Sequence, residues 1–119
     1  MAPLHALLGW LTVGATVAVL VAALLAVSGA VDGRRWIDRS ILAQIATAVA
    51  ACVAGLTTAV MDRGPADPLH FLYAGVILGG LPGARYAVRS RSGPRFAGWI
   101  AVAALVVMGA LLRSFMTGR

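Results

Sequence analysis

Polar residues in this chain gather into a few short stretches, and nearly everything between them is apolar. Four apolar runs result: Leu4–Ala30, Ile41–Met61, Pro68–Ala84 and Phe96–Leu112. A helix that crosses a bilayer needs about 20 residues, with a range of roughly 17–25. The second run fits directly. The first is long and must tilt or protrude. The third and fourth are at the short end, so their flanking Arg residues must snorkel toward the headgroups. The connections, Val31–Ser40, Asp62–Asp67 and Arg85–Arg95, are short. Short connections force neighbouring helices to run antiparallel. The pattern therefore predicts an all-α fold: an integral-membrane, up-down four-helix transmembrane bundle, one domain spanning residues 1–119.

Composition strengthens that reading. Of 119 residues, 61% are hydrophobic and 12% charged, against roughly 45–50% and about 25% in soluble domains. A chain this short cannot bury so much apolar surface in a core of its own. Met1–Leu4 carries no Lys or Arg, unlike the basic start of a cleaved signal peptide, so the first run is expected to be retained as a span.

Charge sets the expected orientation. The net charge of +6 comes from Arg alone on the basic side and Asp alone on the acidic side. Arg34, Arg35 and Arg39 lie in the first connection, and Arg85, Arg89, Arg91 and Arg95 in the third. Arg63, Arg113 and Arg119 belong to the opposite side. This bias places residues 31–40 and 85–95 in the cytoplasm and both termini outside, in a bacterial-type plasma membrane. The expected partners of these guanidiniums are anionic lipid headgroups rather than nucleic acid.

The same inventory excludes several activities. Asp32, Asp38, Asp62 and Asp67 all lie in connections, and there is no Glu. Nothing ionisable sits at mid-membrane, where a proton or ion path would need it. Cys52 is the one cysteine, so neither an intrachain disulfide nor a thiol relay can form, and it reads as a small buried hydrophobe. There is no Ser-His-Asp set, no carboxylate pair and no phosphate loop, so an autonomous enzyme is not expected.

Small residues recur every fourth position. The first run has Gly14, Ala18, Ala22, Ala26 and Ala30; the second has Ala43, Thr47, Ala51, Gly55 and Ala59; the third has Gly75, Gly79 and Gly83. Helices in lipid associate where small side chains let backbones approach, so Gly75, Gly79, Gly83, Gly14 and Gly55 are candidate contact positions. Pro82 is expected to kink or end the third helix. Gln44, the one amide within a span, is expected to make an interhelical hydrogen bond.

His5 and His70 open the first and third runs. Those helices run in the same direction, so the two imidazoles are expected at one depth near the outer surface. Two facing imidazoles can supply both axial ligands of a b-type haem. Gly9, with Thr12 and Thr16 beyond it, leaves a small face beside His5 with room for a ring. Arg63 and Arg113 are candidate propionate partners. Tyr73 and Trp10 are candidate pocket walls. The plainer alternative is a pair of interfacial polar residues, with His70 following an Asp67-Pro68 helix start. Copper or zinc would want a further ligand, and Met1, Asp62 and Asp67 are the nearest candidates. At 100° per residue, His5 lies opposite Gly14, and His70 faces away from the Gly75–Gly83 stripe. Each histidine-bearing helix thus has one face for the bundle and one for another membrane subunit.

This plan is generically similar to that of small membrane-anchor or cytochrome subunits of respiratory complexes; the likeness is architectural, and architecture does not fix function. The leading expectation is a subunit of a bioenergetic or redox membrane complex, with haem b between His5 and His70. The alternatives are a cofactor-free assembly subunit binding through Gly75, Gly79 and Gly83, and a small oligomeric channel or transporter hinted at by Gly79-Gly80 and Pro82.

Overall fold

A computed structural model describes residues 2–29, 33–62, 68–91 and 93–117. They form four helices: α1 (Ala2–Val27), α2 (Gly33–Asp62), α3 (Pro68–Ala87) and α4 (Gly93–Thr117). Every helix departs from its apolar run at one end or both. Most of the expected first connection is helix, since α2 begins at Gly33 and carries Arg34, Arg35 and Arg39 in its first two turns. Helical hydrogen bonding does not stop where apolarity stops, because the backbone groups of a polar stretch still need partners. α1, by contrast, ends short of Ala30. Gly29 takes a left-handed φ of 78°, and the amides of Ser28 and Gly29 close back onto Leu24 and Ala26, a glycine-type C-terminal cap. Pro82 does not end α3, which continues to Ala87.

Three helices contain segments long and apolar enough to cross a membrane: Pro3–Val27, Arg34–Thr57 and Arg95–Met116. α3 is not among them. Its second half holds Gly79, Gly80, Pro82, Gly83 and Arg85, which dilute its apolarity.

The helices form one elongated bundle of 47 × 21 × 19 Å. α1 packs on α2 and α4, α3 packs on α4, and α2 and α3 touch least of these neighbouring pairs. Cross-contacts fix the directions. His5 at the start of α1 meets Ala51 late in α2; His70 at the start of α3 meets Ser114 late in α4; Asp38 early in α2 meets Arg85 late in α3. Neighbours are thus antiparallel, and α1 and α3 are parallel across the diagonal.

The core is built from rows at helical spacing: Thr12, Thr16, Val19 and Ala23 on α1; Ile37, Ile41, Gln44, Ala48 and Ala51 on α2; Ile77 and Leu81 on α3; Ala97, Ile100, Ala104, Val107 and Leu111 on α4. Many are small or polar, while Trp10, Leu42, Val53, Val60 and Leu105 lie on the outside. The exterior of the described residues is thus largely apolar. The Val107 side chain on α4 packs directly on the α3 backbone at Gly80, where a Cβ would stand 2.7 Å from Val107 Cγ2.

Polar contacts tie α2 to α3 and to the turn that follows it. Gln44 Nε2 donates to the Ile77 carbonyl at 3.1 Å, the interhelical bond expected of it. Arg85 Nε donates to Asp38 Oδ1 at 2.6 Å, and Arg34 donates to the Arg91 carbonyl at 2.7 Å. Beside these contacts an open groove of about 470 Å³ remains, lined by Asp38, Ile41, Leu42, Ile45, Pro82, Arg85, Tyr86 and Arg89.

Candidate functional site

The two histidines meet. His5 sits in the first turn of α1 and His70 in the first turn of α3, and because those helices are parallel the imidazoles share one level. Their ring centres are 6.1 Å apart with planes at 70°, and both side chains are half-buried.

Each ring is held by a backbone carbonyl of an adjacent helix. His5 Nδ1 lies 2.8 Å from the Ala51 carbonyl oxygen on α2, and His70 Nδ1 lies 3.1 Å from the Ser114 carbonyl oxygen on α4. A carbonyl oxygen carries no proton, so Nδ1 donates in both cases. In the neutral ring this leaves the lone pair on Nε2, the tautomer that a carbonyl partner imposes on histidines serving as metal ligands.

The seat of His5 is made by Gly55. A Cβ there would stand 2.6 Å from His5 Cε1 and 2.9 Å from Nδ1. The missing side chain lets the imidazole lie against α2 and reach the Ala51 carbonyl one turn away. Of the five candidate contact glycines, Gly55 alone has a neighbour this close. A Cβ at Gly14, Gly75, Gly79 or Gly83 would meet nothing within 4 Å. These four residues lie on the outside of the bundle, and His70 turns away from the Gly75–Gly83 stripe toward the other helices.

The space read beside Gly9 as room for a ring holds the side chain of Phe115. A Cβ at Gly9 would stand 3.0 Å from Phe115 Cε1, and Trp10 stacks on that phenyl ring at 4.8 Å and 22°. Phe115 and Ser114 escaped sequence reasoning, because nothing local ties the end of α4 to the start of α1 or α3. Thr12 and Thr16 are buried, and their hydroxyls donate to the carbonyls of Leu8 and Thr12 on the same helix. Tyr73 is half-buried against the core. Arg113 is exposed at the histidine end. Arg63, Met1 and Asp67 lie outside the described residues, as does the Asp62 side chain. Among the described residues no group of three or more His, Cys, Asp or Glu side chains is placed to hold a metal ion.

The opposite end has its own cluster. Phe96, almost fully buried, has the guanidinium carbons of Arg34 and Arg85 at 4.1 and 4.8 Å from its ring centre. Arg89 lies over the Tyr86 ring at 3.9 Å and donates to the Tyr86 carbonyl at 2.8 Å. The Asp38 hydrogen bond raises the Arg85 pKa further above its ordinary value, so this guanidinium stays charged.

Comparison with protein families, curated proteins and solved structures finds no match to this chain.

Proposed function

We propose that this protein is a four-span integral membrane subunit of a larger redox complex, and that its histidine end is a two-imidazole ligand site for a b-type haem. The membrane reading is supported by the three helices long and apolar enough to cross a bilayer and by the apolar exterior. α3 completes the bundle as a shorter fourth span, whose irregular end packs beside other helices rather than standing alone in lipid.

The observation that carries the ligand site is the convergence of His5 and His70 with both Nδ1 atoms committed to backbone carbonyls. His5 and His70, with ring centres 6.1 Å apart, are the residues that would hold the group through their Nε2 atoms. Two protein ligands suffice where a macrocycle supplies the remaining ones. When bound, the haem would supply one-electron chemistry at a potential set by its axial ligands and their hydrogen bonds. The chain's own part is to orient both rings, fix their tautomers and keep water out with Trp10, Phe115 and the α2 wall. Arg113 stands at the same end to meet propionates.

The test is a reduced-minus-oxidised absorption spectrum of the purified chain with a pyridine-haem assay. The expected result is a b-type signal near one haem per chain that vanishes in His5→Ala and in His70→Ala. A well-folded sample with no signal removes the haem.

A second reading, a cofactor-free assembly subunit, is favoured by one observation: Gly75, Gly79 and Gly83 line the outside of the bundle with open space before them. In lipid such a stripe gains close contact only from another helix. Gly79→Leu is expected to leave the melting temperature of the isolated chain nearly unchanged and to abolish co-purification of partner subunits. Unchanged co-purification would remove this face as the contact.

A further inference from the structure

We infer that the groove between α2 and α3 at the arginine end is a binding site for one acidic phospholipid. The groove opens sideways along the seam where the bundle is least closed. Its length is apolar: Ile41, Leu42 and Ile45 form one wall and Pro82 the other. Leu42 is 66% and Tyr86 67% exposed, so the opening faces the surroundings of the bundle. Its far end is cationic, with Arg85 and Arg89 in the lining against the single carboxylate of Asp38. The polarity along the groove is therefore that of an amphiphile, an acyl chain at one end and a charged head at the other.

Three features select an anionic head. Arg34, Arg85, Arg89 and Arg91 gather at this end of α2 and α3, with Asp38 the one carboxylate paired to them among the described residues, so the local charge is positive. The guanidinium of Arg89 is already ordered, stacked on Tyr86 and bonded to its carbonyl, so little freedom is lost when it meets a phosphate. Arg85 is bound to Asp38 through Nε at 2.6 Å, with Nη2 at 3.4 Å from the second carboxylate oxygen; a guanidinium has five N–H donors, which leaves others for a phosphate oxygen. Basic pockets between membrane helices on the cytoplasmic side suit acidic lipid headgroups, and the volume of about 470 Å³ falls within the range of roughly 300–1,000 Å³ of small-molecule sites.

The groove lies where α2 and α3 touch least, beside the Gln44–Ile77 and Asp38–Arg85 bonds. An acyl chain lying in the seam adds apolar contact there. The lipid acts as part of the bundle wall, and the site is independent of the histidine end.

The experiment is a native mass-spectrometric titration of the full chain in neutral detergent with phosphatidylglycerol, phosphatidylcholine and inorganic phosphate. One phosphatidylglycerol per chain is expected to bind in preference to phosphatidylcholine. Arg89→Gln is expected to weaken it about fivefold. Leu42→Trp, which fills the groove, is expected to remove the adduct, its folding checked by melting temperature. Arg35→Gln makes the same charge change outside the groove and is expected to leave the affinity nearly unchanged. Equal binding of the two lipids would overturn the proposal, as would an equal loss in Arg35→Gln and Arg89→Gln, an adduct that persists in Leu42→Trp, or inorganic phosphate competing as well as the lipid.

Discussion

Gly55 decides whether the histidine end exists. The His5 imidazole lies where a side chain on α2 would otherwise project, and the 2.6 Å clearance to a built Cβ is too short for any other residue. Gly55→Ala therefore displaces His5 from the Ala51 carbonyl, breaking a hydrogen bond and overpacking the interface. The expected cost is about 1–3 kcal/mol, read as a lower unfolding midpoint in mixed micelles. His5→Ala removes the obstructing ring, so in that background Gly55→Ala is expected to cost almost nothing. Such non-additivity is the signature of two residues sharing one space. Additive effects would show that His5 does not occupy the Gly55 slot.

Among the elements, α2 and α3 form the pair held by polar stitches, and Gln44 is its buried member. Its Nε2 is bonded to Ile77, but its Oε1 is buried with no hydrogen-bond partner, which costs about 1–3 kcal/mol. Gln44→Leu removes the bond and the orphaned acceptor together at similar volume. It is expected to hold stability within about 1 kcal/mol of the parent or to raise it, measured by denaturant unfolding. A loss of several kcal/mol would mean that Oε1 has a donor partner in the membrane. This seam also shows what the sequence could reveal. The all-helical class and its four helices were legible, because a chain this apolar has few other ways to satisfy its backbone. Helix ends were not, because hydropathy marks contact with lipid and Arg34–Arg39 continue the helix beyond it. The equal depth of His5 and His70 followed from parallel helices. That they turn toward each other did not, because it depends on the Gly55 slot and the Ala51 and Ser114 carbonyls, all supplied by distant parts of the chain. The Asp38–Arg85 pair was hidden for the same reason: its 47-residue separation closes only in one antiparallel register.

Across the whole molecule, charge is the most asymmetric property. Seven Arg cluster at the α1–α2 and α3–α4 connections, while the histidine pair sits at the other end, roughly the length of a helix away. Two of the guanidiniums, Arg34 and Arg85, lie against the buried Phe96 ring, so the cationic end is built into the fold rather than fringing it. Positive residues are retained on the cytoplasmic side, so the expected orientation is the one with the histidine end outside. The single native cysteine makes the test direct. In a Cys52→Ser background, Ser90→Cys places a thiol in the exposed turn after α3, and Met61→Cys places one near the opposite end of α2. In intact cells a membrane-impermeant thiol reagent is expected to label position 61 and to reach position 90 only after the membrane is opened. The reverse pattern would put the histidines on the cytoplasmic side, where a haem would face a different electron donor. Labelling of both positions in intact cells would mean that the chain crosses the membrane in two orientations, as the small counter-bias of Arg63, Arg113 and Arg119 would then require.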